Sequence, residues 1–132
     1  MGKSMQHRIL IVEDESLIRD LIKTYLEPVG CLMSEASDLA TARKAFSSAA
    51  PAVVLLDVRL PDGNGLSLLP EIKRHWPGTR VIILTGDGSI ETAEEAYKLD
   101  DVYLLNKPFD AEMLRTVLEL SLSSGSSGAL RQ

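Results

Sequence analysis

The chain has 132 residues, a formal net charge of −5, 45% hydrophobic and 25% charged residues. That length predicts one compact domain. No apolar run is long enough to span a bilayer, and an acidic balance argues against nucleic-acid binding by this segment alone, since phosphate-backbone affinity comes from clustered Lys and Arg. The opening MGKSMQHR is polar and lacks the apolar core of a secretory signal peptide, which points to the cytoplasm. The single cysteine, Cys31, has no internal disulfide partner and its apolar setting predicts a buried, inert thiol.

Apolar runs of strand length alternate with amphipathic stretches of helix length, the pattern of a parallel α/β sheet. Ile9-Leu10-Ile11-Val12 is a continuous apolar run, as expected of a strand covered on both faces, and it ends abruptly in Glu13-Asp14. Leu17, Ile18, Leu21, Ile22, Tyr25 and Leu26 then recur at helical spacing until Pro28 and Gly30 stop the helix. Residues 31–36 make a weaker second strand, and Ser37 is placed to cap a helix whose apolar face is Leu39, Ala42, Ala45 and Phe46. Val53 to Leu56 is the clearest buried strand, ending in Asp57 and followed by the turn-rich Pro61-Asp62-Gly63-Asn64-Gly65. A third helix carries Leu66, Leu69, Ile72 and Trp76 as far as Pro77-Gly78. Val81 to Leu84 is the fourth strand, closing on Thr85 and the loop Gly86-Asp87-Gly88, after which Ser89 caps a helix running to about Leu99. The fifth strand, Val102 to Leu105, ends at Asn106-Lys107-Pro108, and Asp110 opens a last helix with Met113, Leu114, Val117 and Leu118. Flexible sequence starts near Ser121 and is Ser/Gly-rich over residues 123–132, which read as a tail or linker; residues 1–6 are an extension and 7–122 the domain.

In open parallel sheets ligands sit outside the carboxyl ends of the strands, because right-handed crossovers put every β-to-α loop on that edge. Glu13-Asp14, Asp57, Thr85 and Lys107 each close a different predicted strand, so they should meet in one pocket. Clustered carboxylates repel one another unless a cation neutralises them, and hard oxygen ligands favour Mg²⁺. Mg²⁺ usually takes one or two protein carboxylates and leaves room for phosphate oxygens. Lys107 gains a purpose if a phosphoryl group arrives, since Lys can pair one of its oxygens while the metal pairs another. Thr85 offers a hydroxyl to a third oxygen, and Asp57 is the natural nucleophile, because an aspartate carboxylate can form an acyl phosphate. Taken singly, the acidic pair reads as a helix start favoured by the dipole, Thr85 as a strand or cap residue and Lys107 as a solvated charge. Their shared edge, with a buried strand before each, is what raises the group above its members.

The motifs ILIVEDE (9 to 15), VVLLDVRLPDGNG (53 to 65), VIILTGDGS (81 to 89) and LNKPFD (105 to 110) resemble those of response regulator receiver domains, in family order and with 28 residues from Asp57 to Thr85 and 22 from Thr85 to Lys107. The resemblance implies a doubly wound, five-stranded parallel sheet with helices on both faces, the (βα)5 flavodoxin-like receiver fold. It implies that Glu13 and Asp14 hold Mg²⁺, with Asp14 the direct partner and the backbone carbonyl of Arg59 completing the protein ligands. Asp57 would accept phosphate from a sensor histidine kinase, Thr85 and Lys107 would bind the phosphoryl group and shift, and Pro108 would follow a cis bond that aims Lys107. The wording DVRLPDGNGLSLLPEIK and TGDGSIETAEEA is most similar to NtrC-type receivers, which activate sigma-54 promoters through an attached ATPase and a DNA-binding domain. An output domain or partner, or a second copy in a homodimer, would read the exposed faces of the fourth and fifth helices.

One departure bears on the readout. Family members commonly place Tyr or Phe three residues before the lysine, as a switch, whereas here that position is Leu104 and Tyr103 sits one step away. Side chains alternate along a strand, so Tyr103 falls on the opposite face unless a bulge restores the register. The Gly-Ala usual before this strand is replaced by Asp100-Asp101, which predicts a rearranged segment there. Two other functions stay open: a receiver-like interaction module that signals without phosphate, and a phosphatase of the haloacid dehalogenase type. The latter needs a second aspartate two residues after the nucleophile, where this chain has Arg59, so the chain is expected to catalyse only its own phosphorylation and slow dephosphorylation rather than act as an enzyme. A nucleotide-binding loop is disfavoured because Glu13-Asp14 stand where a glycine-rich cradle is needed.

Overall fold

Five parallel strands form the main sheet in the order β2-β1-β3-β6-β7: β1 (Arg8–Val12), β2 (Leu32–Ala36), β3 (Val53–Asp57), β6 (Arg80–Thr85) and β7 (Val102–Asn106), with β4 (Arg59–Leu60) and β5 (Gly63–Asn64) pairing separately. The computed structural model describes residues 6–86 and 101–123. The predicted loop Asp87-Gly88, the helix capped by Ser89 and ending near Leu99, and most of the predicted extension and tail lie outside the described residues. The fold is the expected doubly wound α/β sheet. Its three inner strands are the continuous apolar runs, and every residue of β3 is buried. The outer strands β2 and β7 are buried at only one and two of their five positions, as edge strands are less covered than inner ones.

Alternation along the strands sorts the core into two layers. Leu10, Val12, Val54, Leu56, Val81 and Ile83 face one side, where α2 (Leu39–Lys44) and α3 (Leu69–His75) cover them with Leu39, Ala42, Ile72 and Trp76. Ile9, Ile11, Val53, Leu55, Ile82 and Leu84 face the other, under α1 (Ser16–Leu26) and the C-terminal helix (Ala111–Ser123). A fully buried side chain of this kind stabilises by about 1.5–3 kcal/mol, so these two layers hold the strand ends in register.

Several helix details depart from the sequence reading. In α1 the inward stripe is Ile18, Ile22, Tyr25 and Leu26, while Leu17 and Leu21 are 77% and 45% exposed. Apolar spacing spans a wider arc than the sheet can cover. Likewise Leu114, Val117 and Leu118 face the core but Met113 is 43% exposed. The cap of α2 is Asp38 rather than Ser37, since its carboxylate accepts from Thr41 N at 2.8 Å. Ser121 belongs to the C-terminal helix rather than to a tail: its Oγ donates to the Leu118 carbonyl at 2.7 Å, and the residue is buried. Gly30, in the left-handed region at φ 81°, ends the 3₁₀ turn Glu27–Val29 that follows α1, as Pro28 and Gly30 predict. Cys31 is half-buried against the α1 layer, and burial pushes its thiol up, in keeping with an inert group.

Candidate functional site

Strand order reverses at β1, whose neighbours are β2 on one side and β3 on the other, so the carboxyl ends of β1 and β3 flank a crevice. Glu13 N donates to the Ala36 carbonyl at 3.0 Å, which carries the β1–β2 ladder one residue past the strand and holds the acidic pair at this edge. Glu13 is fully buried, and one carboxylate oxygen accepts from Glu15 N at 3.1 Å. Asp14 is exposed and lines an open cleft of about 430 Å³ together with Asp57, Arg59, Thr85 and Lys107.

The charges in this cleft are tightly grouped. Glu13, Asp14 and Asp57 can each offer a carboxylate oxygen within 4.8 Å of the others. Lys107 Nζ donates to Glu13 Oε1 at 2.9 Å and stands 3.4 Å from Asp57 Oδ1. Asp57 itself is 5% exposed. Burial pushes the Glu13 carboxyl up to about 6, even though the Lys107 hydrogen bond and the Glu15 amide favour its charged form. Burial works against the Lys107 charge, but the Glu13 hydrogen bond and the nearby Asp57 carboxylate outweigh it and leave the ammonium raised above its ordinary value. Three carboxylates served by one ammonium, among the described residues of the cleft floor, form a set of hard oxygen donors that fits a divalent cation.

Local backbone fixes the position of Asp57. After β3 the chain makes a short antiparallel hairpin, β4 (Arg59–Leu60) with β5 (Gly63–Asn64), so that Gly65 N returns to the Val58 carbonyl at 2.6 Å. Gly65 is required there because a Cβ would overlap the Asp57 carbonyl. Val58 N donates to Leu84 O at 3.2 Å, tying this loop to β6. On the far side Lys107 N donates to the Thr85 carbonyl at 2.8 Å, and the Lys107-Pro108 bond is cis, as expected. Thr85 is 1% exposed at the end of β6. Asp110 Oδ1 accepts from Met113 N at 2.8 Å and caps the C-terminal helix.

All the residues singled out from sequence therefore converge, with Glu13 beneath the cleft rather than on its surface. The register of β6 with β7 is continuous from Val102 to Asn106, so no bulge intervenes. Tyr103 consequently packs on the α1 and C-terminal-helix side, while Leu104 packs on the α2 and α3 side. Asp101, just before β7, lies in the left-handed region at φ 64°, its carbonyl accepting from Val81 N at 2.9 Å, while Asp100 lies outside the described residues. Sequence reasoning missed two supports. Asp62 reaches across the chain to the α2 N-terminus, accepting from Leu39 N at 2.8 Å and Ala40 N at 3.1 Å. Arg19 donates to the backbone carbonyls of Glu13 and Asp14. Asp62 has no local signal because its partners lie 22 and 23 residues away, and Arg19 meets its near neighbours only through the turn from β1 into α1.

Residues 9–119 match the family described as response regulator receiver domain. The chain is 34% identical over 116 residues to the regulatory protein AtoC of Escherichia coli K12, which covers 88% of this chain and 25% of that protein. It is 36% identical over 122 residues to the nitrogen assimilation regulatory protein NtrX of Azorhizobium caulinodans, covering 91% of this chain and 27% of the relative. The solved receiver domain of NtrX from Brucella abortus has a TM-score of 0.80 at 38% identity, with 88% of this chain and 98% of that one covered. The chain thus spans about a quarter of the length of these curated relatives. Among the described residues no helix is long and apolar enough to cross a membrane.

Proposed function

Because the chain belongs to the response regulator receiver domain family, we propose that Asp57 is its phosphoacceptor, charged in a Mg²⁺-dependent transfer from a sensor histidine kinase in the cytoplasm. The observation that carries this reading is the grouping of the Asp57 carboxylate with those of Glu13 and Asp14, and with the Lys107 ammonium that bridges Glu13 and Asp57, at an open cleft. Asp14, Asp57 and the Arg59 backbone carbonyl would hold Mg²⁺ directly. Both Glu13 oxygens already accept hydrogen bonds, so Glu13 acts from behind them. When bound, the cation would supply charge neutralisation for the transferring phosphoryl oxygens.

The chain's own groups do the rest. An Asp57 oxygen attacks phosphorus, the new O–P bond forming as the donor's N–P bond breaks and the imidazole leaves with that electron pair. Lys107 exchanges its Glu13 partner for a phosphoryl oxygen, a short movement given that it already stands 3.4 Å from Asp57. Thr85, at the end of the neighbouring strand, offers its hydroxyl to another oxygen. Catalysis here is positioning and charge, which is most of what phosphoryl transfer requires. Arg59 two residues on provides no carboxylate to activate water, which supports a long-lived acyl phosphate and a switch rather than a phosphatase. The phosphorylated domain would then control an output domain, a partner or a second copy through the C-terminal helix and the helix expected from the sequence before β7.

Beryllofluoride, a phosphoryl mimic, tests the assignment. It should bind only with Mg²⁺ present and should lose binding in Asp57→Ala. Undiminished affinity in that variant overturns the phosphoacceptor.

A further inference from the structure

Behind the acidic pair lies a charged cluster that the transfer chemistry does not use. Arg19, in the first turn of α1 and half-buried, sends Nη1 to the Glu13 carbonyl at 2.7 Å and to the Asp14 carbonyl at 3.1 Å. Its Nε donates to Glu35 Oε1 at 2.8 Å, and Lys23, one helical turn on, donates to Glu35 Oε2 at 2.7 Å. Glu35 belongs to the edge strand β2, level with Ile11 of β1. The guanidinium therefore stands at the corner where α1, the end of β1 and β2 meet.

This placement has a mechanical consequence. Past Glu13 the chain leaves the β1–β2 ladder, and the peptide units after Glu13 and Asp14 decide where the Asp14 carboxylate is carried. Carbonyls in such a turn can rotate toward water. Here one rigid, planar guanidinium binds both, and a carboxylate on a separate strand fixes the plane of that guanidinium. We propose that Arg19, oriented by Glu35, is a positioning residue that sets the Glu13 and Asp14 carbonyls and so holds the Asp14 carboxylate where a divalent cation needs it. The inference rests on the metal-dependent reading of the site. A merely structural role would be that of a surface ion pair, which adds little to stability and nothing to metal affinity.

The test is a Mg²⁺ titration of the whole chain, without phosphate, by calorimetry and by the amide resonances of Glu13, Asp14 and Glu15. Arg19→Gln removes the contacts, and Arg19→Lys keeps the charge and helix propensity but lacks a fork that reaches carbonyls and Glu35 together. Both should bind Mg²⁺ about tenfold more weakly, with Glu35→Gln affected less in the same direction. The metal-free amide resonances of Asp14 and Glu15 should move in all three. Arg43→Gln, which breaks the Arg43–Glu71 pair on α2 and α3, should leave the affinity at the parent value. Affinities within about twofold of the parent in both Arg19 variants would overturn the positioning role while leaving the metal site intact. A parent chain that binds no Mg²⁺ would instead remove the metal-dependent reading, and this proposal with it.

Discussion

The two ends of the cleft are restrained differently. At the β1 end the acidic pair is held from three directions: Glu13 N by Ala36 of β2, the Glu13 carboxylate by Glu15 N, and both carbonyls by Arg19. At the β7 end the Lys107 backbone donates to Thr85, while its ammonium, on a long stem, is shared between Glu13 at 2.9 Å and Asp57 at 3.4 Å. A fixed carboxylate cage suits an ion that demands near-ideal geometry. A cation on a flexible stem suits an oxygen that arrives and leaves. On the proposed reading, metal binding falls to the carboxylate end and phosphoryl exchange to the lysine end.

Removing the mobile charge should give the largest effect. Lys107→Met is expected to slow phosphorylation by acetyl phosphate about 100-fold, read by quenched-flow mass spectrometry, because the developing charge loses a positioned partner. Its Mg²⁺ affinity should not fall, since the carboxylates lose a competitor. A variant that phosphorylates at the parent rate would show that the two ends are not divided in this way.

A mutation between the two ends should disturb both. Gly65→Ala places a Cβ against the Asp57 carbonyl and should cost about 1–3 kcal/mol in urea unfolding, with reduced phosphorylation as the loop shifts. An unchanged midpoint would mean that the loop relaxes freely. At the β7 end, Asp101→Gly relieves a left-handed residue and should stabilise by up to about 1 kcal/mol, offset in part by the freer unfolded chain. The same assay would contradict this by showing destabilisation.

The smallest effect concerns the rigid end. The Lys23 hydrogen bond, with that of Arg19, holds the Glu35 carboxyl below its ordinary value of 4.5. A carboxyl depressed in the folded state contributes stability that is present above its unfolded value and lost as pH falls through the folded one. Parent stability should therefore decline below about pH 4.5 more steeply than that of Glu35→Gln. Parallel curves would show that Glu35 adds nothing to the corner.

The sequence made the main features legible for a physical reason. Strands covered on both faces read as unbroken apolar runs, and the polar residue that ends each run marks the functional edge, so Glu13, Asp14, Asp57, Thr85 and Lys107 were all visible. What stayed hidden depends on position across the fold. Leu17 and Leu21 fit a helical stripe yet lie beyond the reach of the sheet. Ser37 and Asp38 are both good caps, and only backbone geometry chooses Asp38. Asp62 acts on backbone amides 22 and 23 residues away, and Arg19 on carbonyls five and six residues before it that only the turn from β1 into α1 brings within reach. The Tyr103 offset was legible because strand alternation admits no compromise, and the continuous register settles its face.

The central claim is that Asp57 carries the phosphoryl group. Intact-mass measurement after incubation with acetyl phosphate and Mg²⁺ tests it directly. The parent chain should gain one phosphoryl group and lose it again on mild alkaline treatment, as an acyl phosphate does, and Asp57→Asn should gain none. A parent that gains no mass, or an Asp57→Asn variant that gains as much as the parent, would contradict it.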